Sequence, residues 1–162
     1  MTNPLTVGMT GHQGLPRPTA QLVAAALRDK LAGYGPNVVG VTMLGPGADQ
    51  LFARIVLDLG GSLHIVVPAA KYRNGFEDQD ARQGYDELAA KASHVEQLEY
   101  AESTEHAHME GGKRVVDRGD MLIAVWDGQP SRGLGGTADV VAYAKQQGVP
   151  VEVIWPEGAT RD

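Results

Sequence analysis

Met121-Leu122-Ile123-Ala124-Val125-Trp126, bounded by Asp120 and Asp127, decides the reading of this chain. Six apolar residues without alternation predict a strand buried on both faces. A polar loop follows, Asp127-Gly128-Gln129-Pro130-Ser131-Arg132, and then Gly133-Leu134-Gly135-Gly136-Thr137. From 138 to 147 the spacing turns helical, with Val140, Val141 and Ala144 on one face and Gly148 as the residue past the end. Strand, glycine-rich turn and helix in that order let backbone N–H groups approach an anion at a helix N-terminus. Glycine suits such a turn because it permits positive φ and leaves room for a ligand, and Gly136 is the position expected to need both.

The same grammar recurs upstream. A first strand over 5–9 meets the turn Thr10-Gly11-His12-Gln13-Gly14, and Thr19 is the expected N-cap of a helix over 20–31. A second strand over 38–44 meets Gly45-Pro46-Gly47-Ala48-Asp49, followed by a helix carrying Leu51, Phe52, Ile55, Val56 and Leu59 inward. A third strand over 63–67 ends at Pro68, and the long polar loop 69–80 holds Lys71, Tyr72 and Arg73. A helix over 82–92, an edge strand over 95–100, a helix over 104–118 weakened by Gly111-Gly112, and a last strand over 151–154 complete the pattern. The tail from Pro156 is expected to fray. Alternating strands and helices define an α/β fold: a single Rossmann-like domain over 1–155 with a short tail over 156–162, its mostly parallel sheet covered by helices on both faces. Right-handed crossovers put the turns after strands one, two and five on one sheet edge, where open α/β sheets bind ligands.

Composition bounds the partners. The 162 residues are 43% hydrophobic and 21% charged, ordinary for a globular domain. The formal net charge of -6 argues against nucleic acid as a partner, though local backbone dipoles still permit a small anionic ligand. With no cysteine, thiolate chemistry and cysteine metal sites are excluded. No apolar run is long enough to span a bilayer, and no basic stretch opens the chain, so neither a membrane partner nor a signal peptide is expected and a cytoplasmic location is the default. His106 and His108 are two residues apart, on different helix faces, so no metal site is expected there. No cofactor is assigned, and self-association stays open.

No stretch fits the P-loop pattern. Gly133 to Ala138 formally fits G-x-G-x-x-A, but it follows a late strand and no acidic residue about 20 positions on closes a second one, which disfavours a nicotinamide dinucleotide. Thr10-Gly11-His12, Gly45-Pro46-Gly47-Ala48-Asp49, the segment Asp120 to Gly128, and Gly135-Gly136-Thr137 together resemble the SLOG superfamily, which includes the DNA-processing protein DprA and the LOG cytokinin-activating proteins. The resemblance covers nearly the whole chain. It implies a Rossmann-like fold that binds a nucleotide or nucleotide derivative, with phosphate near Gly135, Gly136 and Thr137.

LOG enzymes release a free base from a nucleoside monophosphate, with a pattern similar to P-G-G-x-G-T-x-x-E and an Arg-Lys pair in the preceding helix. Here Val140 stands in place of the Glu, and Gly111-Gly112 stand where the pair would fall. Lys113 and Arg114 are close but on a different helix face. Catalytic residues therefore remain unassigned, and Asp127, Asp49 and Asp139 are the carboxylates near the site that glycosidic chemistry would need.

The expected nucleotide-binding residues are Thr10, Gly11, His12, Gly45, Gly47, Ala48, Asp49, Lys71, Asp127, Gly133, Gly135, Gly136 and Thr137. Two readings stay open at several of them. His12 either bonds the ligand or is satisfied by backbone; Asp49 either caps the second helix or holds a ribose hydroxyl. Asp127 either contacts the ligand or shapes a turn, and Lys71 and Arg73 either close over an anion or are merely solvated. Trp126 is core, cleft wall or a stacking surface. The leading expectation is a module that binds or senses a small phosphorylated nucleotide or nucleoside derivative. The alternatives are a hydrolase or transferase acting on an N-glycosidic bond, and a scaffold whose glycine turns bind nothing.

Overall fold

Strands with apolar residues on both faces need cover on both faces, and the chain supplies it. A computed structural model describes residues 4–161. Residues 1–3 of the expected domain and residue 162 of the expected tail lie outside the described residues. Six strands, β1 (Leu5–Gly11), β2 (Val38–Thr42), β3 (Ser62–Val67), β4 (His94–Gln97), β5 (Met121–Val125) and β6 (Val151–Ile154), form one sheet. Its order is β4-β3-β2-β1-β5-β6 and every pairing is parallel.

Five helices connect them: α1 (Arg17–Ala32), α2 (Ala48–Asp58), α3 (Gln79–Ala90), α4 (Glu105–Arg118) and α5 (Thr137–Gln146). One face of the sheet buries Val7, Met9, Ile65, Ile123 and Val125 against Val23, Leu27, Phe52, Ile55 and Leu88 of α1 to α3. The other buries Val41, Val66 and Leu122 against Val115, Val116, Val140 and Ala144 of α4 and α5. β1, β2, β3 and β5 are thus enclosed on both sides, and the fully buried run 122–125 is the one whose lack of alternation marked it in the sequence.

The strand order places the site. From β1 the chain walks outward through β2 and β3 to β4, then returns through α4 to lay β5 against the other side of β1. The loops after β1 and β5 therefore leave the sheet in opposite directions and open a crevice between them. Thr10 pairs with Ala124 and Gly11 with Val125, so both strands end level at its floor.

Three local expectations are corrected. Thr19 is not an N-cap: α1 starts at Arg17, with Pro16 and Pro18 supplying the fixed φ of a helix start, and Thr19 is buried in its first turn. Asp49 is not an N-cap either, because Gly47 occupies that place and Asp49 lies inside α2. The tail is not frayed over its described part: the Thr160 N–H donates to Thr19 Oγ1 at 2.8 Å, which fastens residues 155–161 to α1. No helix among the described residues is long and apolar enough to cross a membrane.

Candidate functional site

A cavity of about 350 Å³ occupies the crevice between β1 and β5. Its floor is Met9 to Gln13, and one wall is the loop 129–136 with the first residues of α5. Asp49, Tyr72, Glu105 and His108 also line it, and Arg161 reaches in from the C-terminal segment. Of the thirteen expected residues, Thr10, Gly11, His12, Asp49, Gly133, Gly135, Gly136 and Thr137 line this one cavity.

The other five stand elsewhere. The turn after β2 props the loop after β1 from behind. Gly47 adopts φ 87°, and a Cβ there would sit 2.9 Å from the His12 carbonyl oxygen, so only glycine lets the two loops touch. Ala48 donates its N–H to the same oxygen at 3.2 Å, and Gly45 gives its N–H to Asp49 Oδ2 at 3.0 Å. Gly45, Gly47 and Ala48 are thus buttresses behind the cavity wall. Lys71 is exposed and pairs with Glu102 at 2.7 Å, and Arg73 forks onto Asp86; neither closes over the crevice. Asp127 sits just behind the floor, bonded to His12.

His12 is 4% exposed, so its ring must find partners inside the protein. Its N–H continues the β1–β5 ladder onto the Val125 carbonyl at 3.1 Å. Its Nε2 lies 3.0 Å from the Asp127 amide nitrogen and 3.1 Å from Asp127 Oδ1. Nε2 accepts the amide N–H when the ring proton is on Nδ1, and donates to Oδ1 when Nε2 carries a proton. Burial holds the imidazole below its usual range; the Arg161 charge pushes the same way, and Asp127 opposes both. Burial would raise the Asp127 carboxyl, but the Gln129 N–H and His12 together hold it below the ordinary value. His12 forms part of the crevice floor and bonds to backbone, while Asp127 shapes the turn behind it. Trp126 donates Nε1–H to the Gln129 carbonyl at 2.8 Å, so it braces that turn.

Asp49 is different. Its Oδ1 is buried and has no hydrogen-bond partner, and burial lifts its carboxyl to about 7 against the opposing Gly45 N–H and Thr42 hydroxyl. Beside it Tyr72 is buried and its phenol is pushed well above its usual range, by burial and then by the Asp49 charge.

The α5 end of the crevice is built by capping. Asp139 Oδ2 accepts the Gly135 N–H at 3.1 Å, and Ser131 Oγ accepts the Asp139 N–H at 3.1 Å. Among the described residues the N–H groups of Thr137 and Ala138 have no partner, and both residues line the cavity. Positive φ falls at Gly133 (151°) and Gly135 (88°), while Gly136 has φ -72°, which corrects the expectation for Gly136. A Cβ on Gly135 would lie 2.9 Å from the Met109 amide nitrogen, so this turn lies directly on α4.

Several lining residues were not among the expected nucleotide-binding residues. His108 lies under the crevice with its ring edge-on to Tyr72 at 5.5 Å and its Nε2 2.7 Å from Ser103 Oγ. Ser131, Arg132 and Glu105 line it too. Arg161 belongs to a segment read as a loose end, and no local pattern marks it.

The site is therefore that of a Rossmann-like protein with a crevice at its topological switch point. Among solved structures the chain is similar to DNA processing protein A from Helicobacter pylori, described in its single-stranded DNA binding mode. The TM-score is 0.72 at 14% identity, covering 98% of this chain and 69% of that one. It is also similar to DprA from Streptococcus pneumoniae, with TM-score 0.70 and 17% identity over 96% of this chain and 52% of that one. TM1055, a structural-genomics target, gives 0.57 at 16% identity over 91% and 72%. No protein-family model and no curated protein matches the chain. The fold implied by the SLOG resemblance is thus the fold found, that of the DprA structures.

The exclusion of nucleic acid is corrected by the same comparison, because a protein of this fold is described binding single-stranded DNA. A net charge sums the whole surface, whereas binding is decided locally. Here Arg132, Arg161 and the N-terminus of α5 gather at one crevice of an acidic chain.

Proposed function

We propose that the crevice binds a phosphorylated nucleotide unit, its phosphate on the N-terminus of α5 and its sugar or base toward Asp49. One observation carries this reading. Thr137 and Ala138, whose N–H groups have no partner among the described residues, line the same cavity as Asp49, whose buried Oδ1 has none. Paired amides at a helix N-terminus favour an anion. A buried carboxyl oxygen without a partner favours a hydroxyl or amino group. A nucleotide offers both kinds of group, and a volume of about 350 Å³ suits one such unit.

The reading covers a free nucleotide and a nucleotide within a single strand, and the likeness to the Helicobacter pylori protein favours testing the strand directly. The experiment is a thermal-shift panel of adenosine, AMP, other mononucleotides and an oligothymidylate. A ligand that binds only the folded state raises Tm. A shift with AMP but not adenosine supports a phosphate-dependent mononucleotide site. A shift with the oligomer alone, falling steeply with salt, assigns the site to single strands. No shift with any member contradicts the proposal.

A further inference from the structure

The segment 155–161 forms a wall of the crevice, and its fastening is specific. Trp155 stands edge-on to the His12 ring, centroids 5.5 Å apart. The Thr160 N–H reaches Thr19 Oγ1 at 2.8 Å, and Thr160 Oγ1 lies 3.5 Å from the same oxygen. Thr19 is 1% exposed and makes no part of the cavity, so this is an anchor on α1. The anchor delivers the next residue, Arg161, into the cavity shared by Gly135, Thr137 and Ala138.

The Arg161 Nε is buried and has no hydrogen-bond partner. A guanidinium N–H withdrawn from water without an acceptor is costly, more so than a neutral donor. Asp127 does not supply the acceptor: its carboxylate meets the Gln129 N–H and His12, and no ion pair joins it to Arg161 among the described residues. Arg161 lines the cavity together with His12, and its charge favours the neutral imidazole of His12 and the ionised carboxyl of Asp127. An oxyanion between Arg161 and the α5 N-terminus would satisfy Nε together with the Thr137 and Ala138 amides. The planar fork of arginine matches phosphate oxygens in a way lysine does not.

We propose that Arg161 is a phosphate-binding residue of this crevice, carried there by the C-terminal segment and held by the Thr160–Thr19 anchor. This rests on the nucleotide reading given above. It adds that the phosphate is gripped from two sides by elements far apart in sequence, and that freeing the segment weakens the grip without touching the cavity.

The test is AMP and adenosine binding by calorimetry to the full chain, repeated with the oligothymidylate. The variants are Arg161→Ala, Arg161→Lys, Thr19→Val and, as a control, the exposed Arg17→Ala. Arg161→Ala is expected to weaken AMP at least tenfold, and Arg161→Lys to recover part of that loss. Thr19→Val is expected to fall between wild type and Arg161→Ala, and Arg17→Ala to match wild type. If adenosine binds, its affinity is expected to be equal in all five proteins. Equal phosphate-ligand affinity in wild type and Arg161→Ala overturns the assignment of Arg161 and leaves the crevice reading standing. A wild type that binds no member of the panel overturns both.

Discussion

Val140 stands where a side chain on Gly112 would have to go: a Cβ added to Gly112 would lie 2.6 Å from Val140 Cγ2. Both residues are buried, and the contact joins α4 to α5. These are among the positions at which the LOG pattern would place charged groups. Here they are a glycine and a valine in close apolar packing. The chain is therefore expected to release adenine from AMP far more slowly than the roughly 10 per second typical of enzymes. Val140→Glu should not restore the reaction, and should lower stability by about 3–5 kcal/mol because it buries an unpaired charge. Base release followed by chromatography, with denaturation of the variant alongside, checks both. Rapid adenine release by the wild type would show that another carboxylate serves.

The glycine turn gives a second expectation. Gly148 has φ 74° and open space around its Cα, so Gly148→Val should cost roughly 1–3 kcal/mol from backbone strain and leave ligand binding intact. Gly136 has an ordinary φ of -72°, but a Cβ there would lie 2.8 Å from Ser131 Oγ, the acceptor of the Asp139 N–H. Gly136→Val should therefore remain folded, disturb the start of α5 and abolish the nucleotide-induced rise in Tm. A rise equal to that of wild type would remove this turn from the site.

A third expectation concerns Asp49 and pH. Its folded-state pKa is about 7 against an ordinary 3.8, so between these values the folded state holds a proton that the unfolded state has lost. The stabilising contribution is complete below pH 3.8 and is lost as pH rises toward 7. Glu96 acts in the opposite sense. Although burial opposes it, its bonds from Arg118, His64 and Arg114 hold it at about 2, so its contribution is lost only in acid. Subtracting the pH–stability curve of Asp49→Asn from that of wild type isolates the Asp49 term. The difference should fall steadily between pH 4 and 7. A flat difference would mean that Asp49 is ionised throughout.

The parallel sheet was legible because the apolar runs at Val38, Leu63 and Met121 are bounded by glycine, proline or aspartate and alternate with helical spacing. The shared edge of the first and fifth turns followed from connection rules alone. What could not be read was contact between turns. Gly47 looks like a ligand residue in sequence because close backbone approach demands glycine whether the neighbour is a ligand or another loop, and here it is the backbone of His12 and Gln13. Arg161 was hidden for a related reason. Its place depends on one hydrogen bond spanning 141 positions, from Thr160 to Thr19, and no local periodicity encodes that.

His12 offers a fourth test. Its buried ring, with Nε2 accepting the Asp127 N–H, should titrate below its ordinary 6.5. Stability should then fall as pH drops below 6.5, because the unfolded state gains its proton first. Proton–carbon spectra of the imidazole followed from pH 8 to 4 measure this directly. A midpoint above 6.5 would mean that the ring is protonated toward Asp127 Oδ1.

The central claim is that phosphate sits on the N-terminus of α5. The most direct measurement is an amide proton–nitrogen titration of the labelled protein with AMP, and in parallel with the oligothymidylate. With whichever of the two binds, the largest shifts should fall on the Thr137 and Ala138 amides, with smaller ones along 10–12 and little change at the remote Gly61. Saturable binding that leaves Thr137 and Ala138 unmoved, or binding by neither probe, would contradict it.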